Sequence, residues 1–268
     1  ISVPLASLGV GMAILAITQG DKWGWSSFNL IFSFVLAGLL VTAFVIRSQR
    51  HSEPLFDLAL FRLKTFSVGM VGTVFFMIAF FSWLISLPTF IQSVWGWSVL
   101  KTGFAIAPAP LLTAFVSPPA GRIAERIGNG PLLTIGGVFG AAGLSLHLIF
   151  TKIEPDYIKG IFIPGVLIGF AAGFGFAQLI GAAMRDVPRD KFGMAGAGRT
   201  TIFQLALALG VALAFAIIGR PDNPQAALDG LQATWILGIA CYILQIFLFA
   251  FFGGPAKTTK TTSTRFTP

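Results

Sequence analysis

The chain has 268 residues, 55% hydrophobic and only 10% charged, with a net charge of +8 and a mean hydropathy of +0.84. A soluble domain carries about 25% charged residues, so a soluble globular protein is excluded. The single Cys241 allows no intrachain disulfide and no thiol-based metal site.

A membrane-spanning helix needs about 20 apolar residues, and about eight stretches qualify. The fold class expected is therefore all-α, a polytopic transmembrane bundle; the lengths and the lack of alternation argue against a barrel. The chain opens at Ile1 straight into an apolar run, Val3–Gln19, with no basic n-region and no small-residue cleavage site. It reads as a piece of a longer protein, not as a signal peptide. The second span is Phe28–Ile46. Residues 47–64 are charged at both ends around Pro54-Leu55-Phe56 and Leu58-Ala59-Leu60-Phe61, too short to cross, and fit a short helix lying on the membrane face.

Six more spans follow: Phe66–Phe90, Val99–Ala120, Leu132–Phe150, Ile158–Met184, Ala195–Gly219 and Leu231–Phe252. Pro108, Pro110, Pro118 and Pro119 fall in the span from Val99, and Pro164 in the span from Ile158, so kinks are expected there. Small residues recur every fourth position at Gly165, Gly169, Gly173, Ala177 and Gly181, a ridge that lets a neighbouring helix approach. Gly136 with Gly140, and Ala206 with Gly210 and Ala214, repeat the pattern. Residues 255–268 form a polar, basic tail expected to be disordered.

The connections sort by charge. Alternate gaps hold five basic and five acidic residues, whereas the others and the tail hold thirteen basic against five acidic, so the whole net charge of +8 lies on one face. Such a bias marks cytoplasmic loops, which puts both ends of the chain in the cytoplasm and makes nucleic acid an unneeded partner. Trp23, Trp25, Trp95, Trp97 and Tyr157 gather on the opposite face as interface anchors.

Between Ala120 and Leu132 runs Gly121-Arg122-Ile123-Ala124-Glu125-Arg126-Ile127-Gly128-Asn129-Gly130-Pro131, read as a charged turn of about ten residues between antiparallel helices. Gly121 and Gly128 suit a close approach of helix ends, and Arg122 and Arg126 share a face if the first helix continues. Glu125 is expected near the start of the next helix, facing its positive end.

This motif resembles the signature loop of the major facilitator superfamily, G-x-x-x-[DE]-R-x-G. Leu87-Pro88-Thr89-Phe90-Ile91-Gln92, Gly96-Trp97-Ser98-Val99-Leu100-Lys101-Thr102-Gly103 with Pro108, and Glu53 to Arg62 are similar to its fourteen-span drug/proton antiporter branch, the EmrB/QacA type. The resemblance implies residues 1–64 as two linker spans with a short cytoplasmic interfacial helix, and 65–254 as a six-span C-terminal bundle of two inverted three-span repeats. It implies a conformational latch of Gly121, Arg122, Glu125, Arg126 and Gly128. It also implies a substrate cavity between two halves, the N-terminal six-span half being absent. Where the family often has Arg-Gln, this chain has Phe203-Gln204.

No Asp, Glu, Lys or Arg sits centrally in any span. His147, about one turn from the outer end of its span, reads as structural or interfacial before proton relay, and Arg199 as snorkelling to the cytoplasmic surface. Phe76, Phe80, Trp83, Gln178 and Gln204 are the candidate cavity residues, suited to an amphipathic or cationic ligand; interhelical packing or lipid contact is the plainer reading of each. No catalytic constellation, metal-ligand cluster, phosphate loop or cofactor motif is present in the sequence, so no enzyme is expected. The expected function is proton-driven export of amphipathic drug-like compounds across the cell membrane. The alternatives are a non-transporting scaffold or lipid-handling protein of the same fold, and an importer of a small solute.

Overall fold

In the computed structural model, residues 8–9, 11–17, 19, 27–50 and 58–253 are described. Of the first candidate span, residues 8–9, 11–17 and 19 are described and helical; residues 51–57 of the interfacial segment and the whole tail, 255–268, lie outside. Eight helices follow in chain order: α1 (Phe28–Arg50), α2 (Lys64–Ser93), α3 (Val99–Ile106), α4 (Pro108–Ile127), α5 (Asn129–Phe150), α6 (Ile163–Met184), α7 (Phe192–Ile218) and α8 (Pro224–Phe252). A short 3-10 turn, Leu58–Arg62, precedes α2, and a π turn, Ile158–Phe162, leads into α6. Among the described residues six helical segments are long and apolar enough to cross a membrane, and none forms a strand.

Local chemistry fixes several ends. Ser27 accepts from the Leu30 amide, Ser98 from Lys101 and Asn223 from Ala226, three side-chain caps on donors that helix starts leave free. Pro224 takes the first helical position, where its missing N–H costs nothing.

The prolines act unequally. At Ala107 the fourth span breaks into α3 and α4, with Pro108 opening the second piece. Pro118 and Pro119 lie inside α4 without ending it, and α2 runs through Pro88. Pro164 sits in the first turn of α6, directly after the π turn, where a widened helix absorbs the lost donor.

Packing follows an exchange pattern. α2 packs on α7 and α8, and α6 packs on α4 and α5; α2 also meets α6, and α5 meets α8. Swapping the segment of α2 to α5 for that of α6 to α8 maps this contact set onto itself. Because three crossings separate α2 from α6, the two repeats run in opposite directions. This symmetry, which the sequence alone does not display, places α2 and α6 at the centre. The buried share of the apolar window is 56% in α2 and 50% in α6, but 22% in α7 and 17% across α3–α4.

The helices touch through missing side chains. A Cβ on Gly69 would lie 2.6 Å from Ala183 Cα, and one on Gly169 would lie 2.8 Å from Ala109 O. On Gly173 it would meet Val116, and on Gly181, Asn129. The ridge on α6 therefore packs against α4 and α5, except at Gly165, where the space is open, and Ala177, which is exposed. At the basic end Gly130 faces Gly253, and at the tryptophan end Trp95 donates to Lys152 O, 2.9 Å away.

Gly69→Ala should lower the unfolding free energy in detergent by about 1–3 kcal/mol, since the obstructing atoms are backbone. Gly165→Ala should be neutral or gain up to about 1 kcal/mol from helix propensity. Equal stability of the two variants, read by denaturant titration, would reject the contact.

Candidate transport cleft and latch

The charged motif is helix, not loop. α4 continues through Gly121 to Ile127, because Ala120, Ile123, Ala124 and Ile127 keep helical spacing, and α5 begins at Asn129. The expected turn of ten residues shrinks to Gly128, whose φ of +89° only glycine adopts easily and whose amide bonds Ala124 O at 2.8 Å. Glu125 thus lies in the last turn of α4 and not at the start of the next helix. It faces the negative end of a helix dipole, which opposes it. Gly121 has open space around it, so it serves no close approach.

Arg122, Glu125 and Arg126 are all exposed, and among the described residues no ion-pair partner reaches them. Like charges four apart on a helix repel by a few tenths of a kcal/mol.

A cleft of about 230 Å3 opens between α2, α6 and α7, lined by Thr73, Met77, Phe176, Leu179, Ile180, Arg199, Thr200, Phe203 and Gln204. Of the five expected cavity residues, Gln204 lines it. Phe76 is fully buried, its ring over Gly175, 5.8 Å from Phe80 and 5.1 Å from Phe176. Gln178 is 2% exposed, and its Nε2 has no partner among the described residues. Sequence reading did not place Arg199 among the cavity residues; its signal was the spacing 199, 200, 203 and 204, one face of a helix.

Trp83 lies in a polar network near the tryptophan end. Its indole N–H donates to His147 Nε2 at 3.0 Å. An indole nitrogen can only donate, so Nε2 is unprotonated and the Nδ1 proton is given to Gly160 O, 2.9 Å away. Thr151 also donates to Gly160 O at 2.9 Å, and the Trp235 ring lies tilted against His147, the ring centroids 4.9 Å apart. With both ring nitrogens engaged, His147 joins α2, α5, the start of α6 and α8; it is a structural tie.

The sequence profile described as Major Facilitator Superfamily matches residues 2–211 and, overlapping, 71–266. The chain belongs to the major facilitator superfamily.

Relatives of this facilitator include the multidrug resistance protein Stp of Mycobacterium tuberculosis, 29% identical over 216 residues, covering 79% of this chain and 38% of that protein. The lincomycin resistance protein LmrB of Listeria monocytogenes is 25% identical over 268 residues, covering 93% and 56%. The uncharacterized transporter YebQ of Escherichia coli is 33% identical over 205 residues, covering 74% and 44%. The chain thus spans 38–56% of the lengths of these relatives. Their names agree with the drug-export branch that the motifs resemble.

Within this facilitator bundle, Trp83→Phe keeps an aromatic ring, though a smaller one, and strands the His147 acceptor. It should cost about 1–3 kcal/mol of unfolding free energy in detergent. A variant as stable as the parent would show that the tie contributes nothing.

Proposed function

We propose that this chain is the C-terminal part of a secondary active exporter of amphipathic, drug-like compounds, driven by proton antiport. The supporting observation is the cleft face of α7, where Arg199, Thr200 and Gln204 stand together on a helix that is mostly uncovered. Charged and amide groups at membrane depth face protein or water, not lipid, so this face needs a second wall. The wall is the N-terminal six-span half of the whole protein, in keeping with the share of the relatives that this chain spans. Names such as multidrug resistance protein and lincomycin resistance protein support the substrate class.

Transport proceeds by rocking of the two halves about the shared cleft. At the basic end, which the charge bias assigns to the cytoplasm along with both ends of this chain, Arg122, Glu125 and Arg126 latch the halves. Two mutually repelling cations on an exposed face call for an anionic partner, which the other half supplies; breaking that contact opens the cleft inward. The ionisable groups that carry protons lie in the other half, because the spans of this chain place none at their centres.

The test uses the full-length protein in inverted membrane vesicles under an imposed pH gradient. Glu125→Gln with Arg126→Ala should cut uptake of a fluorescent amphipathic compound by about tenfold, a typical coupling effect, at unchanged membrane levels. Unaltered transport sinks the latch. Wild-type uptake indifferent to the pH gradient sinks proton antiport.

A further inference from the structure

We infer that the cleft selects amphipathic substrates bearing an acidic group, with Arg199 as the residue that reads the negative charge. The inference rests on the export reading and narrows its substrate class.

Arg199 lies seven residues into α7, about 10 Å along the axis from Phe192. It shares one helix face with Thr200, Phe203 and Gln204, and that face forms a wall of the cleft. Half-buried, Arg199 has no hydrogen-bond or ion-pair partner among the described residues, and no lining residue is acidic. The nearest acid earlier in the chain is Asp190, exposed in the turn before α7. A guanidinium that has given up part of its water without gaining a carboxylate is poised to bind one, and its planar fork fits carboxylate geometry.

The other polar groups add to this. The Thr73 hydroxyl donates to Gly69 O at 2.8 Å and that of Thr200 to Gly196 O at 3.0 Å, so their protons are already used. The donors left to a ligand are the five guanidinium N–H groups of Arg199 and the Gln204 amide, which has no partner among the described residues. Opposite them, Met77, Phe176 and Leu179 offer apolar surface for the body of the ligand. With about 230 Å3 in this half of the wall, the cleft holds an acidic head and one ring system, not a whole drug-sized molecule.

A cationic substrate fits poorly. Of the rings expected to attract it, Phe76 is fully buried, Trp83 is 3% exposed and half-buried Phe80 does not line the cleft, while Phe176 and Phe203, which do, share it with Arg199. Any cation entering the cleft meets Arg199 across apolar walls that screen little.

The experiment compares three probes of one body, pyrenebutyrate, its primary amide and its trimethylammonium analogue, exported by the full-length protein in inverted vesicles. Wild type should prefer the acid over the cation by about tenfold or more, the scale of one charge-assisted contact. Arg199→Gln should lower the acid-to-amide ratio by about tenfold, and Arg199→Lys, which keeps the charge, should hold most of it. A ratio unmoved in Arg199→Gln overturns the inference, as does a wild type that prefers the cation; the latter decides even if the glutamine variant does not insert. A wild type that exports the amide but not the acid overturns this inference and leaves the export reading standing. Export of none of the three overturns both.

Discussion

Lipid tails are as apolar as leucine, so no hydrophobic force presses these helices together; cohesion depends on how closely their backbones approach. The constraint is met at a small set of glycines. Gly69 lets α2 reach Ala183 on α6, Gly169 lets α6 reach Ala109 on α4, Gly210 sets α7 on Ile78 of α2, and Gly130 sets α5 on Gly253 beyond α8. Elsewhere a ring replaces the absent Cβ, as where Phe76 covers Gly175 and Tyr242 covers Gly140. The exchange symmetry of the bundle is built from these contacts, because each repeat places its first helix against the other's second and third.

Close approach also organises the polar groups. With no side chain on Gly169 and Gly173, their carbonyls are open to the neighbouring helix, and the hydroxyls of Thr113 and Ser117 on α4 lie 3.1 and 3.4 Å from them, each sharing its proton with a nearer carbonyl of its own helix, Ala109 O at 3.0 Å and Thr113 O at 2.8 Å. Gln245 on α8 reaches Leu133 O on α5 at 3.0 Å, a few residues from Gly137, which packs against the same helix. The His147 tie closes the opposite end by the same logic, since the π turn presents Gly160 O to both His147 and Thr151. Each bond spends a polar group that lipid would otherwise penalise.

One face escapes this economy. α7 is largely uncovered, yet Arg199, Thr200 and Gln204 sit on it beside a cleft. The same holds for α4, whose final turns carry Arg122, Glu125 and Arg126 outward without partners among the described residues. In the proposed exporter, these two surfaces are where the other half packs.

Composition alone determined that the chain crosses a membrane, because 10% charged residues cannot cover a soluble surface. Apolar run lengths determined the six spans of the bundle to within three residues, except at the end of α4 and the start of α8, each seven residues further out, and the helical spacing of small residues on α6 determined its packing ridge. Local rules also reached the break at Pro108, where a proline opens a new helix. They failed at the charged motif: charge suggests a loop, but helix ends are set by which residue can take a positive φ, and here that is Gly128 alone. They failed again on Phe76 and Trp83, apolar residues whose role depends on which neighbour lacks a Cβ and where His147 stands, partners 99 and 64 positions away in the chain. Only the tertiary structure decided that Arg199 lines a cleft, because a helix face acquires neighbours only once α2 and α6 stand beside it.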